Sequence, residues 1–166
     1  AFMTPQSEYR PTEYMQAWAE MWFDPARRME KARCFLRRRA QMTAECWQEN
    51  SYLQKLGIVL SDAVLERFHS DLEQAKDVQE LLLAEARWAK RLYADLARGH
   101  GFSFVREEGA RRSTSKADAC NGFLDHGNYI AYGYAAVALC GLGISFAMPI
   151  LHGKTRRGAL VFDLAD

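Results

Sequence analysis

The chain has 166 residues, 49% hydrophobic and 26% charged, proportions that exclude a disordered or fibrous chain and fit one folded domain with a sizeable core. Its 22 basic and 21 acidic side chains leave a net charge of +1, so the total charge indicates no polyanionic partner and only its distribution can. The four cysteines (Cys34, Cys46, Cys120, Cys140) form no CxxC pair, which excludes a zinc knuckle or dithiol redox motif and predicts free thiols in a reducing cytosol. The opening AFMTPQSEYRP has neither the basic nor the apolar region of a secretion signal. With no initiator Met, and an end at Asp166 soon after a helix could begin, the sequence reads as a piece of a longer protein.

From Pro11, the large apolar residues Tyr14, Met15, Trp18, Met21 and Trp22 follow steps of three and four, predicting a short amphipathic helix. Asp24-Pro25 supplies an N-cap and a first helical residue for a longer helix to about Trp47. That helix carries seven cations (Arg27, Arg28, Lys31, Arg33, Arg37, Arg38, Arg39) against Glu30 and Glu45. It is either a phosphate-tracking face, with Arg37 and Arg38 as contacts, or a solvated basic side. Residues 50–60 read as a connection, and Ser61-Asp62 as the cap of a helix in which Asp62, Glu66, Asp71, Glu73, Asp77 and Glu80 outnumber Arg67 and Lys76. The expectation is an electrically two-sided chain whose acidic face turns away from nucleic acid.

The next helix, KDVQELLLAEARWAKRLYADLARGHG, ends at Gly99 and Gly101 and places Glu85 in the middle of its apolar stripe. A carboxylate there is costly unless paired. A metal ion, an ion pair within the helical core, or a boundary position would each account for it. Gly101 to Lys116 is a basic polar connection, after which Ser115 caps a further helix. From Gly127 to Leu151 there are 25 residues without a charged side chain. That could span a bilayer, but Gly133, Gly141, Gly143 and Pro149 interrupt it. A buried central helix, with glycines allowing close helix packing, is the expectation. His126 and Asn128 near its start read as structural.

The last stretch, LHGKTRRGALVFDLAD, gathers His152, the cations Lys154, Arg156 and Arg157, and the carboxylates Asp163 and Asp166. Imidazole and carboxylate can hold a divalent cation, and the cations between them suit a phosphate. An exposed basic turn before an ordinary helix start accounts for the same letters. With no sustained period-two alternation, the class is all-α, a multi-helix bundle of about six helices around a central uncharged one.

The segments LLLAEARWAKRLYADLA, HGNYIAYGYAA and ILHGKTRRGALVFDLAD resemble the helical C-terminal domain of the CRISPR-associated adaptation integrase. SEYRPTEYMQAW followed by WFDPARRMEKA is similar to its type I-F version. The resemblance covers almost the whole chain and implies one helical catalytic domain over 1–166. It implies that Glu85, His152 and Asp166 bind one magnesium or manganese ion, with Asp163 as an accompanying catalytic carboxylate. Lys154, Arg156 and Arg157 would hold DNA phosphate.

The implied activity is endonuclease and integrase chemistry: a DNA 3′-hydroxyl attacks a phosphodiester of the CRISPR repeat and joins new spacer DNA there, in antiviral defence. The implied partners are double-stranded DNA, a second copy in the full-length family, and a ferredoxin-like adaptation subunit fused to a helicase-nuclease, in a prokaryotic cytoplasm with no membrane. The family also has an N-terminal β-rich domain that builds its dimer, and nothing here reads as its strands. It continues with helix after the final Asp. The competing class is a non-catalytic helical DNA-binding or protein-docking module in which Glu85 pairs with an arginine of the core.

Overall fold

The computed structural model describes residues 12–106, 115–153 and 158–165. Among them are the helices α1 (Thr12–Phe23), α2 (Pro25–Glu49), α3 (Ser51–Lys55), α4 (Asp62–Gln74), α5 (Val78–Gly99), α6 (Lys116–Leu142) and α7 (Ala159–Ala165), and no strand. The all-α expectation holds, with the short α3 appearing inside the supposed connection. Asn50 creates it by accepting hydrogen bonds from the Tyr52 and Leu53 amides at 3.0 and 3.1 Å. Helix starts follow local chemistry elsewhere too. Asp24 accepts from the Ala26 and Arg27 amides, Asp77 from that of Glu80, and Ser115 Oγ from that of Asp118. Ser61 occupies the N-cap of α4 but makes no side-chain cap bond.

The chain divides into two compact units, Ala1–Ala32 with Asn128–Asp166, and Arg33–Gly127. In the second unit, Leu36 and Ala40 of α2, Phe68 and Leu72 of α4, and Leu81, Ala84 and Trp88 of α5 are buried. The Phe68 and Trp88 rings stack at 4.6 Å with 6° between planes. Three cations of α2 are engaged within this unit. Arg33 donates to the Leu72 and Ala75 carbonyls, Arg37 bonds Glu73 through Nε and Nη2, and Arg39 bonds Glu85. The expected separation of basic and acidic faces fails at one contact, where acidic α4 meets basic α2 and Arg37 pairs with Glu73. Arg38 is exposed.

At the end of α5, a Cβ on Gly99 would lie 2.2 Å from Ile58 Cδ1 and 2.4 Å from its Cγ1, and Ile58 is itself buried. Glycine is required there by close approach. Gly99→Ala is expected to lower stability by about 1–3 kcal/mol in urea unfolding, the overpacking cost outweighing alanine's helix propensity.

In the first unit, Ala135 and Leu139 of α6, Ile144, and Leu160 and Val161 of α7 form a buried cluster, with Trp18 of α1, Tyr132 and Phe146 against it. α6 ends where Gly143 adopts φ 70° and the Ile144 amide returns to the Leu139 carbonyl at 2.9 Å. The expected buried central helix is corrected here. Tyr129, Ile130, Tyr134 and Val137 of α6 are exposed. A Cβ at Gly127, Gly133 or Gly141 would meet nothing within 4 Å, so these glycines serve no close packing in this structure. An uncharged composition had stood in for burial, and it is a one-way indicator. Among the described residues no helix is long and apolar enough to cross a membrane.

Candidate metal centre

The segment 148–152, which ends in His152, is held by its backbone on both hydrogen-bonding sides. Two indoles of α1 take its first carbonyls: Trp18 Nε1 donates to Met148 O at 3.2 Å and Trp22 Nε1 to Pro149 O at 2.7 Å. The next three amides go to one carboxylate. Asp163 Oδ2 accepts from the Ile150 and Leu151 amides at 2.6 and 3.1 Å, and Oδ1 from the His152 amide at 2.9 Å. Ile150 and Leu151 are buried, so each of these amides needs a partner away from water. A helix of only seven residues, α7, supplies it by burying Ala159, Leu160 and Val161 and turning Asp163 inward with them.

His152 completes the arrangement with its own ring, whose Nδ1 lies 2.6 Å from Asp163 Oδ1. The imidazole is partly exposed at 27%, whereas the Asp163 side chain is fully buried. Phe162 borders the ring with centroids 6.4 Å apart and itself packs edge-on to Tyr132 at 4.7 Å. A histidine fixed through one ring nitrogen by a buried carboxylate is the usual support of a metal-ligating imidazole. The donor chemistry of His152 thus fits a divalent ion.

The tryptophan anchors give a direct test. Trp22→Phe keeps an aromatic body but removes the donor to Pro149 O. A loss of about 1 kcal/mol of stability is expected, with faster hydrogen exchange at the Ile150 to His152 amides. Unchanged exchange would show that the indole does not restrain this segment.

Glu85 belongs to the other unit. It is half-buried on α5, and its Oε1 accepts from Arg39 Nη1 at 2.5 Å, with the Arg39 guanidinium 5.8 Å from the centre of the Trp88 ring. This is an ion pair of the kind the sequence left open, and it is the contact a structural glutamate would make. Lys154, Arg156, Arg157 and Asp166 lie outside the described residues. Among the described residues no group of three or more His, Cys, Asp and Glu side chains is assembled to hold a metal. Arg37 is engaged by Glu73, Arg38 is exposed, and His126 Nδ1 lies 2.8 Å from the Gly122 carbonyl, in keeping with a structural role. The tryptophan anchors of 148–152 were missed in the sequence. Their only signal there was a pair of indoles at i and i+4 on a helix that otherwise exposes Tyr14 and Met15.

Comparison with known proteins bears on the whole chain. A family model described as CRISPR associated protein Cas1 matches residues 1–166. The chain is 46% identical over 171 residues to a CRISPR-associated endonuclease Cas1 of Pseudomonas aeruginosa, an alignment covering 100% of this chain and 52% of the relative. To that of Pectobacterium atrosepticum it is 39% identical over 171 residues, covering 100% and 51%. The chain therefore spans about half the length of these relatives, 52% and 51%. Among solved structures, a CAS1 protein from Thermotoga maritima superposes with a TM-score of 0.73 at 21% identity, covering 97% of this chain and 50% of that one. A casposase bound to integration product gives 0.71 at 19% identity, with 99% and 45% covered. At these identities the likeness is one of fold.

Proposed function

Since the chain belongs to the CRISPR-associated Cas1 family, we propose that it is the helical part of a metal-dependent DNA endonuclease and integrase. In this reading it joins new spacer DNA into a CRISPR repeat by attack of a DNA 3′-hydroxyl on a phosphodiester. The observation that carries the reading is His152, held by the buried Asp163 on a segment whose backbone is pinned from both sides. The curated relatives named as endonucleases and the casposase described as bound to integration product support it.

Glu85, His152 and Asp166 are the proposed ligands of a magnesium or manganese ion. When bound, such an ion polarises a phosphodiester and stabilises charge on the departing oxygen. His152 must offer a nitrogen lone pair, which needs a neutral ring of defined orientation. Asp163 keeps the ring in place. Arg38 on α2, with Lys154, Arg156 and Arg157, would neutralise DNA phosphates, contacts indifferent to sequence as integration of varied spacers requires. Arg37 would do so only in exchange for Glu73. Double-stranded DNA, a second copy of the protein, and the ferredoxin-like subunit fused to a helicase-nuclease are the proposed partners, in a prokaryotic cytoplasm.

The reading is tested by incubating the protein with a DNA duplex bearing free 3′-hydroxyls and a CRISPR-repeat target, with the full-length Pseudomonas aeruginosa relative in parallel. Joined product that appears with manganese and disappears with a chelator is expected. Joining by the relative alone would remove the activity from this chain. The second reading, a non-catalytic DNA-binding or docking module, is favoured by one observation, the Arg39–Glu85 ion pair. It requires joining to be absent while DNA binding persists.

A further inference from the structure

We infer that Asp163 is a positioning residue rather than a metal ligand: its buried carboxylate fixes His152 as the Nδ1–H tautomer and so puts the ring's lone pair on Nε2. The inference deepens the metal-dependent reading and rests on it for the identity of what Nε2 meets. Its geometry stands apart from that reading.

A carboxylate offers about four lone-pair sites. Asp163 has a main-chain amide on each of three of them, from Ile150, Leu151 and His152, and the His152 ring nitrogen at the fourth. Its side chain has no exposed surface. Ligating an ion would mean surrendering one of these bonds where water cannot replace it, which is costly for a buried amide. The carboxylate is already fully used.

The same count decides the proton. A carboxylate has no proton to give, so Oδ1, which receives the His152 amide at 2.9 Å, can only accept. The ring nitrogen 2.6 Å from that oxygen must then donate as well. In a neutral imidazole one nitrogen donates and the other accepts, so a proton on Nδ1 leaves the lone pair on Nε2. His152 reaches one oxygen with both its amide and its ring. That closure fixes the side chain's rotamer together with its tautomer, and Phe162 limits the ring from the side.

The test uses Asp163→Asn, which keeps shape and size. An amide group must put its NH2 on one side. On the Oδ2 side it would face two amide donors, on the Oδ1 side one, so the NH2 falls toward His152. There it favours an Nδ1 that accepts, and hence an Nε2–H ring. Long-range nitrogen–proton NMR of the ring in metal-free protein reads the tautomer directly, with His152→Gln assigning the signal among the four histidines.

The wild type is expected to show Nδ1–H and the Asp163→Asn variant Nε2–H, with manganese affinity by calorimetry weakened 10- to 100-fold, about the effect of losing an outer partner. An Nε2–H ring in the wild type would overturn the inference. So would an Asp163→Asn protein that keeps both the Nδ1–H ring and wild-type manganese affinity. If the variant does not fold, the wild-type ring still decides. A wild type that binds no manganese sinks the proposed function, whereas the metal-free tautomer still supports or refutes the role of Asp163.

Discussion

Replacing Asp163 by alanine is expected to lower the stability of the protein by about 3–5 kcal/mol, the range for leaving buried polar groups without their charged partner. The carboxylate receives the amides of Ile150, Leu151 and His152, and the first two residues are buried. Alanine offers them nothing, and water entering to replace the oxygens must open the contact between α7 and the 148–152 segment. Against a typical total of about 5–15 kcal/mol, this change alone brings the fold close to unfolding at ambient temperature. Urea unfolding monitored by circular dichroism measures it. A midpoint within about 1 kcal/mol of wild type would show that the three amides do not depend on Asp163.

His152→Ala separates stability from function. The ring is partly exposed at 27% and contributes one bond to Asp163, so its removal is expected to cost only about 1 kcal/mol. The three main-chain amides keep their acceptor. Manganese affinity is nevertheless expected to fall by more than about 100-fold, beyond the effect of losing an outer partner, and DNA joining to be lost. Equilibrium dialysis with manganese and the joining assay read the two losses. The contrast with Asp163→Ala is informative: one variant is destabilised, the other is folded and inert. A His152→Ala protein with normal affinity would remove this residue from the ligand set.

Much of this was legible in the sequence because the physics is local. The caps at Asp24 and Ser115 act over two or three residues, and each side chain bonds an amide of its own first turn. Glu85 stood out because it interrupts an apolar stripe, and its pairing with Arg39 was among the readings left open. The sequence marks Asp163 only as one of two carboxylates in the last stretch, a local pattern. It could not reveal that Asp163 turns toward the backbone of residues 150–152, since that depends on a chain reversal and on burial. α6 misled for a related reason. A run without charges describes solubility of side chains, whereas burial depends on what other elements cover, and Tyr129, Ile130, Tyr134 and Val137 are exposed. The basic stretch of α2 likewise looked like one surface, yet Arg33, Arg37 and Arg39 bond residues 36 to 46 positions away, a range the local pattern does not carry.

The proposed role of Glu85 as a ligand of a divalent ion is where the enzymatic and the structural readings part. Manganese titrated calorimetrically into the wild type and into Glu85→Ala tests it most directly. Saturable binding by the wild type, lost in Glu85→Ala, is the expected result. Binding that is absent from the wild type, or unchanged when Glu85 is replaced, would contradict it and leave the Arg39–Glu85 pair as a purely structural contact.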